Sequence, residues 1–494
     1  MVSLLKEQIR LLTHKRFSPS SEQLSGQLSL FDALELSADD LLREETKIVD
    51  IKGHMRKRTR LTTDKLPDNL PVDIIKHELN ESECNCPKCK AKLHKMGEDS
   101  RDELVIIPAQ MRIRRHVRSV YACRPCDKYG TETPIVKALM PEPVIKGSFA
   151  TPEAIAHIAT QKFMMGSPLY RQEKEWMHHG IPLSRQTMSN WLIYVSENFL
   201  ESIYDAMKAR LIMKSVLHCD ETGWQVLHEE GRSAKQKGFM WHYRTSGDSE
   251  EQIVWFEYQK DRKGIHPQTF FKEFRGFIHC DGYKCYHNLH GDIVVVGCWA
   301  HLRRRFDEAL KALPQKERGG SLAAIGVEWL NRLFMLEREF KDLSPDERKE
   351  KRESLSKPIM EDFFMWADSI GALPKSLLGK AVGYSQTQRG YLRAWLLDGR
   401  LEISNNRAER SIRPLVIVRK NSLFSNTLGG ARANAVFLSL IASARENGLN
   451  PYEYLVRVLK EAPTGASVES LLPWQQNRPA VGSAVQNISS EDVV

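Results

Sequence analysis

Long apolar runs are missing from this sequence, and no stretch approaches the roughly 20 residues that span a bilayer. The first residues also lack the apolar core of a secretory signal peptide. Cysteine is scarce, with 9 among 494 residues. These absences argue against the membrane-spanning and the disulfide-rich secreted classes. We therefore expect an intracellular protein with no membrane partner, whose cysteines serve as free thiols or metal ligands.

Acidic residues are fewer than basic ones, 63 against 72, which leaves a formal net charge of +9 and a sequence pI near 8.9. Such a balance fits a polyanionic partner, although charge alone does not identify one. The length predicts three or four structural units rather than one domain. A hydrophobic content of 41% is enough to give those units real cores.

The first 80 residues divide into two segments. Residues 1–50 begin with leucine and isoleucine at helical spacing, which predicts a helix that either packs on its own domain or mediates self-association. Residues 51–80 form a basic stretch ahead of two prolines, which predicts an extended linker. It is either solvated or able to lie along a phosphate backbone. Its candidate DNA contacts are Arg56, Arg58 and Arg60.

Two CxxC pairs lie within residues 81–135. Cys86 and Cys89 form the first pair, and Cys123 and Cys126 form the second. A two-residue spacer lets a tight turn direct two thiolates at one point, and Zn²⁺ takes four such ligands. The chain between the pairs has strand character, with basic residues alternating over 112–118. We predict a zinc ribbon with one structural ion, in preference to a redox pair.

Residues 150–212 have the pattern of a helical domain. Gly180 follows one helix and Ser184 precedes the next, as in a helix-turn-helix. The second helix would present Arg185, Gln186 and Asn190 to DNA. An ordinary helical hairpin is an equal alternative.

Strand patterns begin at residue 213 and continue to 305. An apolar run ends at Asp220, a hairpin turns at 246–248, a short helix follows, and another run ends at Asp281. A last strand then leads into a helix. This order predicts an α/β catalytic domain with a ribonuclease-H-like mixed sheet, in which the two acids end adjacent strands.

Helices at 306–400 would interrupt this domain, which we expect to resume over 401–460 before a C-terminal tail at 461–494. A capping box at Ser344 marks the start of one inserted helix. An apolar stripe in an earlier helix predicts a buried face consisting of Leu322, Ile325, Trp329, Leu333, Leu336 and Phe340.

A third acid lies in the stretch 401–425. Glu409 follows Asn405 by four residues and precedes Arg413 by four, so the three share one helix face. Ser404 could cap this helix, and Pro414 is expected to end or kink it. A surface helix with ion pairs is the alternative for a single Glu, but two strand-end acids upstream favour a joint site.

Three such acids in a basic chain suit two-metal phosphoryl chemistry. Two Mg²⁺ or Mn²⁺ ions about 4 Å apart activate an oxygen nucleophile and relieve charge on the leaving oxygen. Asp220 would bridge both ions, with Asp281 and Glu409 each favouring one. Candidate phosphate contacts are Arg303, Arg304, Arg407, Arg410 and Arg413.

A further pair of metal-ligating residue types, Cys298 and His301, follows a predicted strand. It could join Cys280 or Cys285 in a second zinc site. Core packing and DNA positioning are the preferred interpretation, since two ligands do not make a site.

Several stretches together resemble a DDE transposase of the insertion-sequence-66 (TnpC-type) family. They run over nearly the whole length and are SEQLSGQLSLFDALE, the two CxxC pairs, KFMMGSPLYRQEKEWMHHGIPLSRQTMSNWL, HCDETGWQV, CDGYKCYHNL, GCWAHLRRRF, ISNNRAERSIRPLVIVRKNSLFSNTLGGARANA and LLPW. The resemblance implies that Asp220, Asp281 and Glu409 are the three acids and that a helical insertion separates the last two. It also implies co-encoded accessory proteins.

Three function classes follow from this pattern. The first is an active transposase, which frees a 3′-hydroxyl at an element end and joins it to target DNA. The second is a nuclease of the same fold that cuts without joining, and the third is a DNA-binding protein with an inert core. The expected partners are double-stranded DNA and further copies of the chain, in the bacterial cytoplasm at the nucleoid.

Overall fold

The computed structural model describes residues 2–17, 111–122 and 135–476, and the chain divides into two compact units. The smaller unit spans 40–136 and the larger one spans 1–39 and 137–494. The zinc-ribbon cysteines, the linker arginines and most of the C-terminal tail lie outside the described residues. Among the described helices, none is long and apolar enough to cross a membrane.

A two-stranded sheet pairs β1 (Val120–Ala122) with β2 (Ile135–Lys137). The predicted strand over the alternating basic residues 112–118 is wrong, because 111–119 form no strand. All described side chains from 111 to 122 are exposed, so alternation there has no buried face to select a register.

The larger unit is built on one mixed sheet with the strand order β5-β4-β3-β6-β7, and β8 pairs with the far end of β3. Its strands are β3 (Val216–His228), β4 (Lys237–Thr245), β5 (Val254–Gln259), β6 (Gly276–His279), β7 (Ile293–Val296) and β8 (Ser425–Thr427). β3, β4 and β5 are antiparallel, whereas β6 and β7 continue the sheet in parallel on the other side of β3. The predicted hairpin turn at 246–248 lies between β4 and β5, as expected.

β3 does not end at Asp220, as the sequence pattern predicted. It continues for eight more residues, paired with β4 as far as Gln225 and then with β8 at Val226 and His228. The apolar run ends at Cys219, but the antiparallel partner continues the hydrogen-bond ladder beyond it. Asp220 therefore lies inside a strand, at the point where the parallel partner stops.

Helices cover the sheet and form the remainder of the larger unit. They are α1 (Val2–Phe17), α2 (Pro152–Phe163), α3 (Leu169–His178), α4 (Arg185–Val195), α5 (Glu201–Ile212), α6 (Ile265–Phe270), α7 (Lys284–His287), α8 (Trp299–Lys311), α9 (Gln315–Arg318), α10 (Leu322–Glu339), α11 (Pro345–Lys351), α12 (Lys357–Asp368), α13 (Leu377–Thr387), α14 (Arg389–Arg393), α15 (Asn406–Ser422), α16 (Leu428–Glu446), α17 (Pro451–Glu461) and α18 (Val468–Leu471). π-helical turns at Ser196–Leu200 and Arg352–Ser356 lead into α5 and α12.

The edge strand β5 is covered by the almost wholly buried helix α16. Ser443 and Ser439 accept hydrogen bonds from the N–H groups of Val254 and Phe256, at 2.8 and 2.9 Å. These hydrogen bonds satisfy backbone N–H groups of an edge strand, which could otherwise pair with a strand of another chain. These contacts with β5 explain why Ser439 and Ser443 occur inside α16.

The turn between α3 and α4 has the predicted local features. Gly180 follows α3 with a φ of +75°, a conformation that favours glycine. The Ser184 side chain caps α4 by accepting the N–H of Thr187 at 3.1 Å. Met188 and Trp191 anchor α4 in the core.

The inserted helices pack around α8 and the start of β3. The capping box at Ser344 is confirmed, but the predicted buried face of α10 is partly wrong. Leu333 and Phe340 are buried, whereas Leu322 is 44% exposed. The face that α10 buries runs instead through Ala323, Gly326, Leu330 and Leu333. Small residues determine which face of α10 is buried, because a Cβ at Gly326 would lie 2.3 Å from the ring of Phe306.

α1 packs against the inserted helices through Leu11, which is 5% exposed. The carboxylate of Glu7 accepts the N–H of Leu377 at the start of α13. Leu5, Ile9 and Leu12 are exposed on the same helix. Packing on its own domain thus accounts for one face of α1, and self-association through the other stays a prediction.

Candidate active site

The same edge of the sheet carries Asp220, inside β3, and Asp281, just beyond the end of β6. The parallel ladder of β3 and β6 ends with the pair His218 and His279. Each aspartate lies two residues beyond its histidine. Because parallel strands end at one edge, the ladder itself brings the two acids together.

The third acid reaches the same place from α15. Asn405 occupies the N-cap position, and its side chain bonds to β3: Oδ1 pairs with His218 Nδ1 at 2.9 Å, and Nδ2 donates to the Cys219 carbonyl at 2.8 Å. These bonds hold the first turn of α15 beside Asp220. Glu409 on that turn is 5% exposed. The predicted cap by Ser404 is therefore wrong, because Asn405 is the N-cap residue.

Pro414 does not end α15, which continues to Ser422. A proline inside a helix removes one backbone hydrogen bond. Ile412, Leu415 and Val416 are buried around it, and such packing is what stabilises most helices in proteins. The helix does not end at the proline, because packing outweighs that local cost, and a kink at Pro414 stays a prediction.

One pocket receives all three acids. It is lined by Asp220, Glu221, Thr222, Arg262, Asp281, His301, Asn405, Glu409, Ile412 and Val416. Asn405 and Glu409 share this face of α15, as their four-residue spacing predicts.

The neighbouring carboxylates raise the pKa of two of the acids, Asp220 and Glu409. Burial raises the pKa of Asp220 well above its usual range, and the negative charges of Glu221, Asp281 and Glu409 raise it further. Burial also raises the pKa of Glu409, and Asp281 adds to that, although Arg304 opposes both. Crowded carboxylates of this kind favour a bound cation.

Glu221 is a fourth buried carboxylate that the sequence analysis missed. Its side chain is 1% exposed and pairs with Arg262, whose Nε donates at 2.7 Å, and with the Tyr286 hydroxyl at 2.6 Å. The adjacent acids at 220 and 221 were the available signal. Alternation along a strand places the side chains of neighbouring residues on opposite faces, so this signal is weak.

Profiles of known families match the chain along most of its length. The profile described as "Transposase IS66 family" matches residues 147–433, which is more than half of the chain and includes all three acids. The chain belongs to the IS66 transposase family. Three further profiles match: "Transposase C of IS166 homeodomain" at 4–75, "zinc-finger binding domain of transposase IS66" at 83–127 and "IS66 C-terminal element" at 439–474.

Relatives of this IS66-family chain occur in Sinorhizobium fredii. The uncharacterized protein y4jD is 30% identical over 437 residues, which cover 85% of this chain and 83% of the relative. The uncharacterized protein y4hP is 29% identical over 497 residues, covering 94% and 88%. The similarity therefore extends over most of the length of this chain and of each of the two relatives.

The zinc-finger profile supports Zn²⁺ binding by the IS66-family chain, because its range includes both CxxC pairs. The identity of the ligands, Cys86, Cys89, Cys123 and Cys126, stays a prediction, since they lie outside the described residues. Arg56, Arg58 and Arg60 also lie outside them. The homeodomain profile runs through both N-terminal segments that the sequence analysis separated.

Several arginines predicted to contact DNA make bonds within the protein. Arg303 Nε donates to Asn331 at 2.7 Å, Arg304 Nη2 lies 3.3 Å from Glu409 Oε2, and Arg407 pairs with Glu402. Arg410 is exposed next to Glu409, whereas Arg413 is partly buried. Their role as DNA contacts stays a prediction.

The side chains predicted to read DNA lie on the exposed side of α4. Arg185, Gln186 and Asn190 are all exposed. Gln186 Nε2 donates to Asn190 Oδ1 at 3.0 Å, and Arg185 lies beside Glu173.

Among the described residues, Cys298 and His301 form a group of potential metal ligands with Glu409 and not with Cys280 or Cys285. One ligand atom of each of Cys298, His301 and Glu409 lies within 4.8 Å of the others. His301 Nδ1 is 3.6 Å from Glu409 Oε1. In the described part of the chain, the third member of this ligand group is therefore Glu409, and not Cys280 or Cys285 as the sequence suggested.

Proposed function

We propose that this protein is a DNA transposase that cuts the ends of its insertion element and joins the freed 3′-hydroxyl to target DNA. The observation that carries the proposal is the convergence of Asp220, Asp281 and Glu409 on one pocket, although they are far apart in sequence. Membership of the IS66 transposase family supplies the reaction class.

We infer that the sheet is ribonuclease-H-like. Its support is the strand arrangement, in which the antiparallel strands β3, β4 and β5 are followed by β6 and β7 in parallel on the other side of β3. The helices from α9 to α14 stand between Asp281 and Glu409 as the expected insertion.

The pocket fits two divalent cations. Carboxylate oxygens are hard ligands that suit Mg²⁺ or Mn²⁺. Glu409 Oε1 is buried and lacks a hydrogen-bond partner in the described part of the chain, and the carboxylates around Asp220 raise its pKa. Asp220, Asp281 and Glu409 would hold the ions. When bound, such ions activate an oxygen nucleophile and neutralise charge on the leaving oxygen.

The protein's own side chains hold these acids in position. Arg304 contacts one oxygen of Glu409 and leaves the other buried and without a hydrogen bond in the described chain. Arg262 and Tyr286 orient Glu221. Asn405 ties the helix that carries Glu409 to the strand that carries Asp220. This arrangement fixes the acids before DNA arrives, which is what transition-state stabilisation requires.

We assign sequence recognition to α4 and phosphate binding to basic residues near the pocket. Glutamine and asparagine side chains can pair with adenine in the major groove, and arginine with guanine. Arg185, Gln186 and Asn190 are the candidates. Arg410 is our principal candidate for a phosphate contact, since it is exposed beside Glu409. The zinc ribbon and the basic linker would add further phosphate contacts.

The test is incubation of the full chain with labelled element-end DNA, Mg²⁺ and target DNA. A transposase gives nicked ends and joined products. Nicked ends alone indicate a nuclease, and binding without either product indicates an inert DNA-binding protein. A parallel reaction with the co-encoded accessory proteins separates an inert chain from one that requires them. Asp307→Asn, which alters a carboxylate paired with Lys311 on α8 outside the pocket, is the matched control.

A further inference from the structure

Cys298, His301 and Glu409 form a second group of potential metal ligands beside the three acids. Cys298 immediately precedes α8, and His301 is the third residue of that helix. Glu409 comes from the first turn of α15. One ligand atom of each lies within 4.8 Å of the others, so a small side-chain adjustment would place all three around one ion.

Two backbone N–H groups bond to the sulfur of Cys298. The N–H of Asn405 donates to Cys298 Sγ at 3.2 Å, and the N–H of His301 also bonds to it. Hydrogen bonds from such second-layer groups orient metal ligands and adjust their basicity. Both donors belong to the two helices that supply the other ligands.

Two of the ligand atoms are buried without a hydrogen bond in the described chain. They are His301 Nδ1 and Glu409 Oε1, which lie 3.6 Å apart. Arg304 contacts the other oxygen of Glu409 at 3.3 Å, so Oε1 is the one that faces the histidine. Buried polar atoms are nearly always paired in native proteins, and two unpaired ones facing each other point to a ligand between them.

We propose that Cys298, His301 and Glu409 bind a transition-metal ion, with Zn²⁺ as the natural occupant. Thiolate and imidazole ligands favour Zn²⁺ over Mg²⁺. Three protein ligands leave the fourth position of a tetrahedral ion open to water or to an oxygen of bound DNA. Binding displaces the thiol proton into solvent. This metal binding is separate from the proposed transposition reaction, although Glu409 is a ligand in both proposed sites.

The alternative is that Cys298 is only a buried packing residue. A packing residue needs a neighbour of suitable size but no particular donor set around its sulfur. Cys280 provides a matched comparison, because it is equally buried and unpaired but is not part of the ligand group.

The test is a Co²⁺ titration of the full chain after metal removal, without DNA, followed through the thiolate-to-cobalt absorption band. We expect wild type and Cys280→Ser to bind one more Co²⁺ per chain than Cys298→Ser, with Zn²⁺ displacing that ion. His301→Gln should weaken this binding at least about tenfold and carries the test if Cys298→Ser does not fold, as judged by circular dichroism. Equal stoichiometry and equal band intensity in wild type and Cys298→Ser, or equal Co²⁺ affinity in wild type and His301→Gln, would overturn the site.

Activity measurements separate this inference from the proposed function. A chain that cuts DNA with Mg²⁺ but binds no additional Co²⁺ overturns only the Cys298 site. A chain that binds the additional ion and gives neither nicked nor joined DNA supports the site and counts against the transposase proposal alone.

Discussion

Two buried polar clusters lie side by side at the end of the parallel ladder, and they differ in the charge that they hold. The first, the histidine network, consists of His218, His279, Asn405, Glu402 and Arg407. The two imidazole rings stack at 4.3 Å and are fully buried. His218 bonds to Asn405, and His279 Nε2 accepts the N–H of Glu402 at 3.2 Å. Burial lowers the pKa of both histidines well below the usual value, so both rings are neutral at neutral pH.

The second cluster is the acid pocket, two residues further along the same strand. Its carboxylates raise the pKa of Asp220. Both clusters keep buried atoms without a hydrogen bond in the described residues, His218 Nε2 and His279 Nδ1 in the first and Glu409 Oε1 in the second. The first cluster nevertheless balances its charge, because its rings are neutral and Glu402 is paired with Arg407, and it contributes to the fold. A cluster that crowds like charges together costs stability and is retained for chemistry. The contrast is therefore a physical criterion for the site that is independent of sequence similarity.

The largest expected effect is on DNA cleavage. Asp220→Asn, Asp281→Asn and Glu409→Gln should each lower Mg²⁺-dependent nicking by about 10²–10³-fold or more. The reason is that metal-assisted charge stabilisation amounts to several kcal/mol, and each 1.36 kcal/mol is a factor of ten. DNA affinity in a gel-shift assay should persist, because we assign phosphate binding to basic residues and not to the acids. A variant that nicks at nearly the wild-type rate would remove its residue from the acid set.

The next effect separates the histidine network from the pocket. Asn405→Ala leaves His218 Nδ1 and the Cys219 carbonyl without their partner. Each buried group left unpaired should cost about 1–3 kcal/mol of unfolding free energy, measured by chemical denaturation. Asn190→Ala, at an exposed asparagine, should change it by no more than about 0.5 kcal/mol. Equal losses in the two variants would mean that the network does not support the fold.

The smallest effect has the opposite sign. Asp220→Asn should raise the unfolding free energy by on the order of 1 kcal/mol at pH 8 with chelator present, because the ionised carboxylate is buried among like charges. Since the folded-state pKa of Asp220 is raised, the penalty is complete above that pKa and absent below the unfolded value of about 3.9.

The gain from Asp220→Asn should therefore shrink as the pH falls from 8 toward 5. Thermal melts over this range provide the measurement. Added Mg²⁺ should stabilise the wild type more than the variant, because only an intact site gains from ligand binding. A variant less stable than the wild type in chelator at pH 8 would show that Asp220 is structurally satisfied.

Local patterns in the sequence were enough to find the acids and many of the element ends. The turn at Gly180, the caps at Ser184 and Ser344 and the hairpin between β4 and β5 depend on a few consecutive residues. Such features follow from backbone geometry and side-chain chemistry at short range. The face shared by Asn405 and Glu409 likewise follows from helical spacing alone.

The tertiary structure decided what joins distant segments. β3 extends beyond its apolar run because β4 and β8 provide hydrogen-bonding partners. α15 continues past Pro414 because the residues on both sides of it are packed in the core. The pairing of Glu221 with Arg262 and Tyr286, and the meeting of Cys298 and His301 with Glu409, join segments 41 and more residues apart. Residue spacing determines which side chains share an element, but which elements meet depends on packing over the whole core, and no local pattern encodes that.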